Sequence, residues 1–87
     1  MVPIAQRILD LIDRADISDE VDPERIQTLK DLAIHGEWEV AIECLCDNVA
    51  EVDKRFDDGW ISDLAGLVEE LGLKPRYGEI VRDLLHR

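Results

Sequence analysis

Basic residues are scarce in this 87-residue chain: ten Lys and Arg stand against 21 Asp and Glu, for a net charge of −11. That balance argues against direct binding of bare nucleic acid or anionic membrane surfaces, whose phosphates would be repelled. Aromatic residues make up only 5% of the chain, and no basic patch with interleaved aromatics can be assembled from them. Apolar residues reach 46%, yet none of their runs approaches the roughly 20 positions that span a bilayer. The stretch from Met1 to Ile12 also lacks the uninterrupted apolar core of a secretion signal. A cytoplasmic protein is the expectation. Cysteine is limited to Cys44 and Cys46, two apart in a helical pattern. Their side chains would point roughly 200° from each other, which rules out a shared disulfide or a shared metal ion. One core thiol and one flank thiol in a reducing compartment is the simpler account.

Catalytic signatures are missing too. The chain has no glycine-rich phosphate loop, no Gly-x-Ser-x-Gly and no HExxH. Asp53, Asp57, Asp58 and Gly59 resemble part of a calcium loop, but setting Gly59 at the obligatory sixth position puts Lys54 first and Ala65 twelfth. Neither supplies the required ligand. His35 precedes a helix stop, where an imidazole complements the helix dipole. The many carboxylates read as a solvated face rather than as general acid/base pairs. These absences predict a protein that is not an enzyme and holds no metal or cofactor.

What is present is helical. Pro3 suits a first helical turn, and Ile4, Ile8, Leu11, Ile12 and Ala15 follow at helical spacing, predicting a helix from Pro3 to about Ala15. Ser18–Val21 is short, polar and acidic. Asp22-Pro23-Glu24 then supplies an N-cap, a proline at the first helical position and an acid that suits the dipole. Ile26, Leu29, Leu32 and Ala33 are inward candidates before Gly36 stops this second helix. The third helix starts near Glu37. With Trp38 at the centre of its wheel, Ala41, Ile42, Leu45, Val49 and Val52 fall within about 60°, and Trp38 reads as a core anchor for several helices. A fourth helix opens at Asp57-Asp58-Gly59, carries Ile61, Leu64, Ala65, Val68 and Leu71 inward, and closes at Gly72. Pro75 initiates a fifth, with Tyr77, Ile80, Val81, Leu84 and Leu85 available for packing. Gly66 and Gly78 weaken the last two helices unless close contacts require them. The expectation is an all-α fold: a single domain over residues 1–87, built as a compact bundle of about five short helices.

The acids are unevenly distributed. Met1–Asp53 holds 14 of them against 4 basic residues, whereas Lys54–Arg87 is nearly balanced at 7 against 6. Between Asp31 and Asp53 there are seven carboxylates and no base. Glu39, Glu43, Asp47 and Glu51 step by four along the outer side of the third helix, with Val40 and Cys44 beside them. Like charges at that spacing destabilise an isolated helix by roughly 0.2–0.5 kcal/mol per pair, so the arrangement points to steering of a basic partner rather than to folding.

The run His35-Gly36-Glu37-Trp38-Glu39-Val40-Ala41-Ile42-Glu43-Cys44-Leu45-Cys46-Asp47-Asn48 resembles the "hGEWxxAlExLCD" segment of MafI-type immunity proteins. Leu71-Gly72-Leu73, Pro75 and Tyr77 are similar to that family's closing "LGLxPxY" stretch. The matching pieces cover roughly a quarter of the chain. After the LCD element the family usually carries aromatics, whereas this chain has Val49-Ala50-Glu51-Val52-Asp53. The resemblance implies a small helical antidote that binds and neutralises a cognate bacterial toxin, commonly a nuclease domain, in the cytoplasm.

Charge pattern and resemblance lead to one expectation: carboxylates on a rigid helix occupy or overhang the cationic cleft of a toxin. The candidate contact residues are Glu39, Val40, Glu43, Asp47 and Glu51, with Asp57, Asp58 and Trp60 as neighbours. Trp60 has two readings. Burial statistics favour a core or boundary position, while exposure beside Asp57 and Asp58 would make it an aromatic anchor with an acidic rim. Two rival classes stand beside the antidote: an acidic adaptor that recruits a basic host protein without antitoxin activity, and a helical domain that dimerises through an apolar patch.

Overall fold

Proline starts and left-handed stops divide the chain into five helices in the computed structural model, which describes residues 1–87. They are α1 (Ile4–Ala15), α2 (Pro23–Ile34), α3 (Trp38–Glu51), α4 (Asp58–Glu70) and α5 (Pro75–Leu85). There are no strands, so the all-α expectation holds. Pro3 stands one position outside α1, as its N-cap. Asp22 caps α2 by accepting from the Glu24 amide at 2.9 Å. Asp57 caps α4 by accepting from the Trp60 amide at 2.8 Å. Gly36 and Gly72 end their helices at φ +81° and +64°, a backbone region where a Cβ is strained and glycine is not. Asp16 takes the same left-handed region at φ +50° to end α1, without a glycine. Lys54 holds that corner by donating from Nζ to the carbonyls of Ala15 at 2.7 Å and Asp16 at 2.6 Å.

Helix α3 is the hub. It packs against each of the other four helices, while α1 also packs on α2 and α4, and α4 on α5. The buried side chains form one cluster and all are hydrophobic. From α3 it takes Ala41, Ile42, Leu45, Cys46 and Val49, close to the expected stripe. The connections contribute more than their composition predicts. Ile17 and Val21 are buried between α1 and α2, so the Ser18–Val21 turn is anchored at both ends by apolar residues. Val52 and Phe56 are buried between α3 and α4.

Of the two tryptophans, Trp60 takes the core position that burial statistics favour and Trp38 does not take the one expected of it. Trp60 is 1% exposed. Its indole Nε1–H donates to the Leu11 carbonyl at 2.8 Å, and its ring stacks on Phe56 with centroids 4.4 Å apart. Trp38, expected at the centre of the core, is 37% exposed. Its angle on the α3 wheel is inward, but it is the first residue of the helix and lies beyond the end of the packed layer. Periodicity specifies direction around the axis and says nothing about position along it. Leu85 is 53% exposed beside Leu84 at 2%, because it lies about 100° around α5 from that buried residue. The space above Gly66 and Gly78 is open, so no close helix contact accounts for either. No helix is long and apolar enough to cross a membrane.

Candidate functional site

The eight candidate contact residues fall into three groups. Glu39, Val40 and Glu43 lie on the first half of α3; Asp47 and Glu51 lie on its second half; Asp57, Asp58 and Trp60 lie at the start of α4. Fourteen helical residues at a rise of about 1.5 Å each separate the two ends of α3 by roughly 20 Å. The start of α4 follows the far end of α3 after six connecting residues. The candidates are thus spread along the whole of α3 and onto the start of α4.

The start of α4 is excluded in part. Trp60 is buried and hydrogen bonded within the core, so the reading of it as an exposed aromatic anchor is corrected. Asp57 uses a carboxylate oxygen on the helix cap. Asp58 is exposed in the first turn of α4, where a negative charge complements the dipole.

The four-acid row on α3 is also not uniform. Asp47 accepts from Arg76 of α5 at 2.5 Å, and Glu51 lies 3.6 Å from Arg25 of α2. Half of the expected anionic face is thus neutralised by guanidinium groups of the same chain. Arg76 is held over the Tyr77 ring, 4.6 Å from its centroid. The neighbouring Tyr77, followed by the charge of Asp47, raises its pKa above its ordinary value. A groove of about 410 Å³ between α2 and α3 is lined by Arg25, Asp47 and Glu51 together with Glu24, Thr28, Leu29, Cys44 and Asn48. Cys44 is half-buried, on the flank of α3, and Cys46 is buried. Burial, then the nearby Asp47, pushes the Cys46 thiol up to about 12 and raises that of Cys44 in the same direction. Neither is an activated nucleophile, since the thiolate is the reactive form.

The first half of α3 differs. Glu37, Glu39 and Glu43 take part in no ion pair, although seven of the ten basic residues are paired elsewhere. Glu37 and Glu39 sit at the positive end of the α3 dipole, which lowers the energetic penalty of grouping them there. Apolar side chains accompany them: Ile34 is 62% exposed and Val40 41%, and Trp38 lies between the two in sequence. Gly36, Glu37, Trp38, Glu39, Val40 and Leu71 together line a cleft of about 280 Å³ where the start of α3 meets the end of α4.

Sequence reading placed Glu39, Val40 and Glu43 on an outer face. Glu39 and Val40 are exposed there, and Glu43 is partly so. It missed Trp38 as a surface residue, passed over Glu37 as a contact candidate, and did not show that Leu71, half-buried against the core as expected, also lines the cleft. A signal for Trp38 was available, because a residue immediately after a glycine stop begins its helix at the edge of the bundle. Leu71 had none, since its contribution depends on how α4 meets α3. No family model, no curated protein and no solved structure matches this chain.

Proposed function

We propose that this protein is a non-catalytic immunity protein that binds and neutralises a cognate bacterial toxin, a basic nuclease domain, through the first half of α3. The observation that carries this reading is the juxtaposition of Glu37, Glu39 and Glu43, none of them in an ion pair, with exposed Trp38 and Val40. An interface core needs apolar anchors in a polar rim. A cationic nuclease cleft supplies the complementary charge, and steering of this kind raises association rates to as much as about 10⁸ per molar per second at low salt. The resemblance of His35–Asn48 to MafI-type immunity proteins supports the same reading. The adaptor and self-association readings have no comparable support, since net acidity and exposed apolar groups sit on the same short segment.

Co-expression with the product of the adjacent upstream gene tests the proposal. Copurification and rescue of growth are expected, with deletion lethal only while that product is active. An upstream product that is harmless, or that is harmful and not relieved by this protein, would overturn the antidote reading.

A further inference from the structure

We infer that the cleft at the start of α3 is a receptor for a single arginine side chain projecting from the bound partner, with Trp38 as its stacking platform. This rests on the reading of the first half of α3 as the partner surface and names what that surface grips. Phe56 carries the Lys54 ammonium 5.6 Å from its centroid, Tyr77 carries the Arg76 guanidinium, and Trp60 is covered by Phe56. Trp38 is the one aromatic ring without such a partner, although indole is the best cation acceptor among the side chains. Its Nε1–H makes no hydrogen bond within the chain, in contrast to that of Trp60.

The walls of the cleft fit the rest of an arginine. Leu71 and Val40 offer apolar surface for the methylene stem, as snorkelling side chains require. Glu37 and Glu39 line the same cleft and have no intramolecular base, so a guanidinium stacked on the indole meets carboxylates at its edge. Two of the six large exposed hydrophobic residues of the protein, Trp38 and Val40, line this one cleft together with Glu37 and Glu39. Scattered single exposures are ordinary, whereas exposed apolar groups sharing a cleft with a charged rim mark an interaction site. Arginine is preferred over lysine because its planar fork both stacks and bridges carboxylates, while an ammonium is a hydrated point charge.

The indole N–H signals of Trp38 and Trp60 in a ¹⁵N-labelled sample provide the test, with acetyl-Gly-Arg-Gly-amide as probe and its lysine and norleucine counterparts alongside. The Trp38 signal is expected to shift saturably with the arginine peptide, several-fold more weakly with lysine, and not with norleucine. The Trp60 signal stays fixed and reports that the fold is intact. The double change Glu37→Gln, Glu39→Gln should weaken arginine binding by tenfold or more, and Trp38→Leu, by removing one of the two indole signals, confirms the assignment of the shifting one. Equal shifts with all three peptides, or no shift of Trp38, would overturn the inference. Toxin binding separates it from the broader reading. If Glu39→Lys with Glu43→Lys weakens capture of the upstream product while Trp38→Leu leaves it unchanged, the arginine receptor fails and the acidic surface stands. If neither change matters, the surface itself is wrong.

Discussion

The two halves of α3 carry the same spacing of acids and end in opposite states. At the start, Glu37, Glu39 and Glu43 face solvent without a base, beside exposed Trp38 and Val40. At the end, Arg76 holds Asp47, Arg25 approaches Glu51, and Arg87 gathers the carbonyls of the last turn. Arg87 donates from Nη1 to Val52 at 2.6 Å, Lys54 at 3.1 Å and Val49 at 3.3 Å, and from Nη2 to Ala50 at 3.0 Å. A cation there meets the negative pole of α3 and satisfies carbonyls that a helix end leaves unpaired. The difference teaches that a row of like charges on a helix wheel is not yet a field. What remains of it depends on which neighbouring helices bring guanidinium groups alongside.

The largest expected contrast is in stability and separates the two tryptophans at opposite ends of the hub. Trp60→Ala removes a stacked, hydrogen-bonded core ring and should cost about 3–5 kcal/mol, whereas Trp38→Ala, at a residue 37% exposed, should cost less, about 1–2 kcal/mol. Urea unfolding of both variants measures this, and equal losses would show that the start of α3 is part of the core after all. Next comes charge reversal in pairs. Glu39→Lys with Glu43→Lys should slow association with a basic toxin by roughly 10- to 100-fold at low salt. Asp47→Lys with Glu51→Lys should act less on association, because those charges are already balanced; stopped-flow rates at two salt concentrations distinguish the pairs. A reversed order would move the contact surface to the other end of α3.

Arg87→Ala should then lower stability by about 1–2 kcal/mol through lost charge-assisted hydrogen bonds to the end of α3, with toxin association unchanged. Amide hydrogen exchange should quicken in Asn48–Val52 and not in Ala41–Glu43. The smallest effect lies at mid-helix. Near pH 8 an alkylating reagent should modify half-buried Cys44 faster than Cys46, which is reached only as the protein opens. The sign of the pH dependence follows from burial. The Cys46 thiol stays neutral in the fold and ionises more readily in the unfolded chain, so its contribution to stability is full below the ordinary thiol range. That contribution is lost as pH rises towards about 12. Equal labelling of both thiols would contradict the packing of α3 against α5.

Most of the fold was legible because its signals are local. Pro23 and Pro75 start helices, Gly36 and Gly72 stop them, and the apolar stripes of α3 and α4 recur at helical spacing. Asp16 was not legible as a stop, since it adopts a glycine-like conformation that Lys54, 38 positions away in the chain, helps to hold. Ile17, Val21, Val52 and Phe56 were not legible as core because turns carry no periodicity from which to read a direction. Of the candidate contact surface, Glu39, Val40 and Glu43 were visible as an outer face. The neutralisation of Asp47 and Glu51 was not, because Arg25 and Arg76 come from other helices.

By itself the amino-acid order determined an acidic five-helix chain, where the helices begin, where α2 and α4 end, and which way most side chains point around each axis. These follow from capping chemistry, backbone sterics and the 3.6-residue period, all of which act within a few residues. Only the tertiary structure decided that Trp38 stands outside the core and Trp60 inside it, and that Asp47 and Glu51 are paired with arginines while Glu39 and Glu43 are not. Burial along an axis and electrostatic pairing are set by distances between helices, and those distances exist only once the bundle has closed around α3.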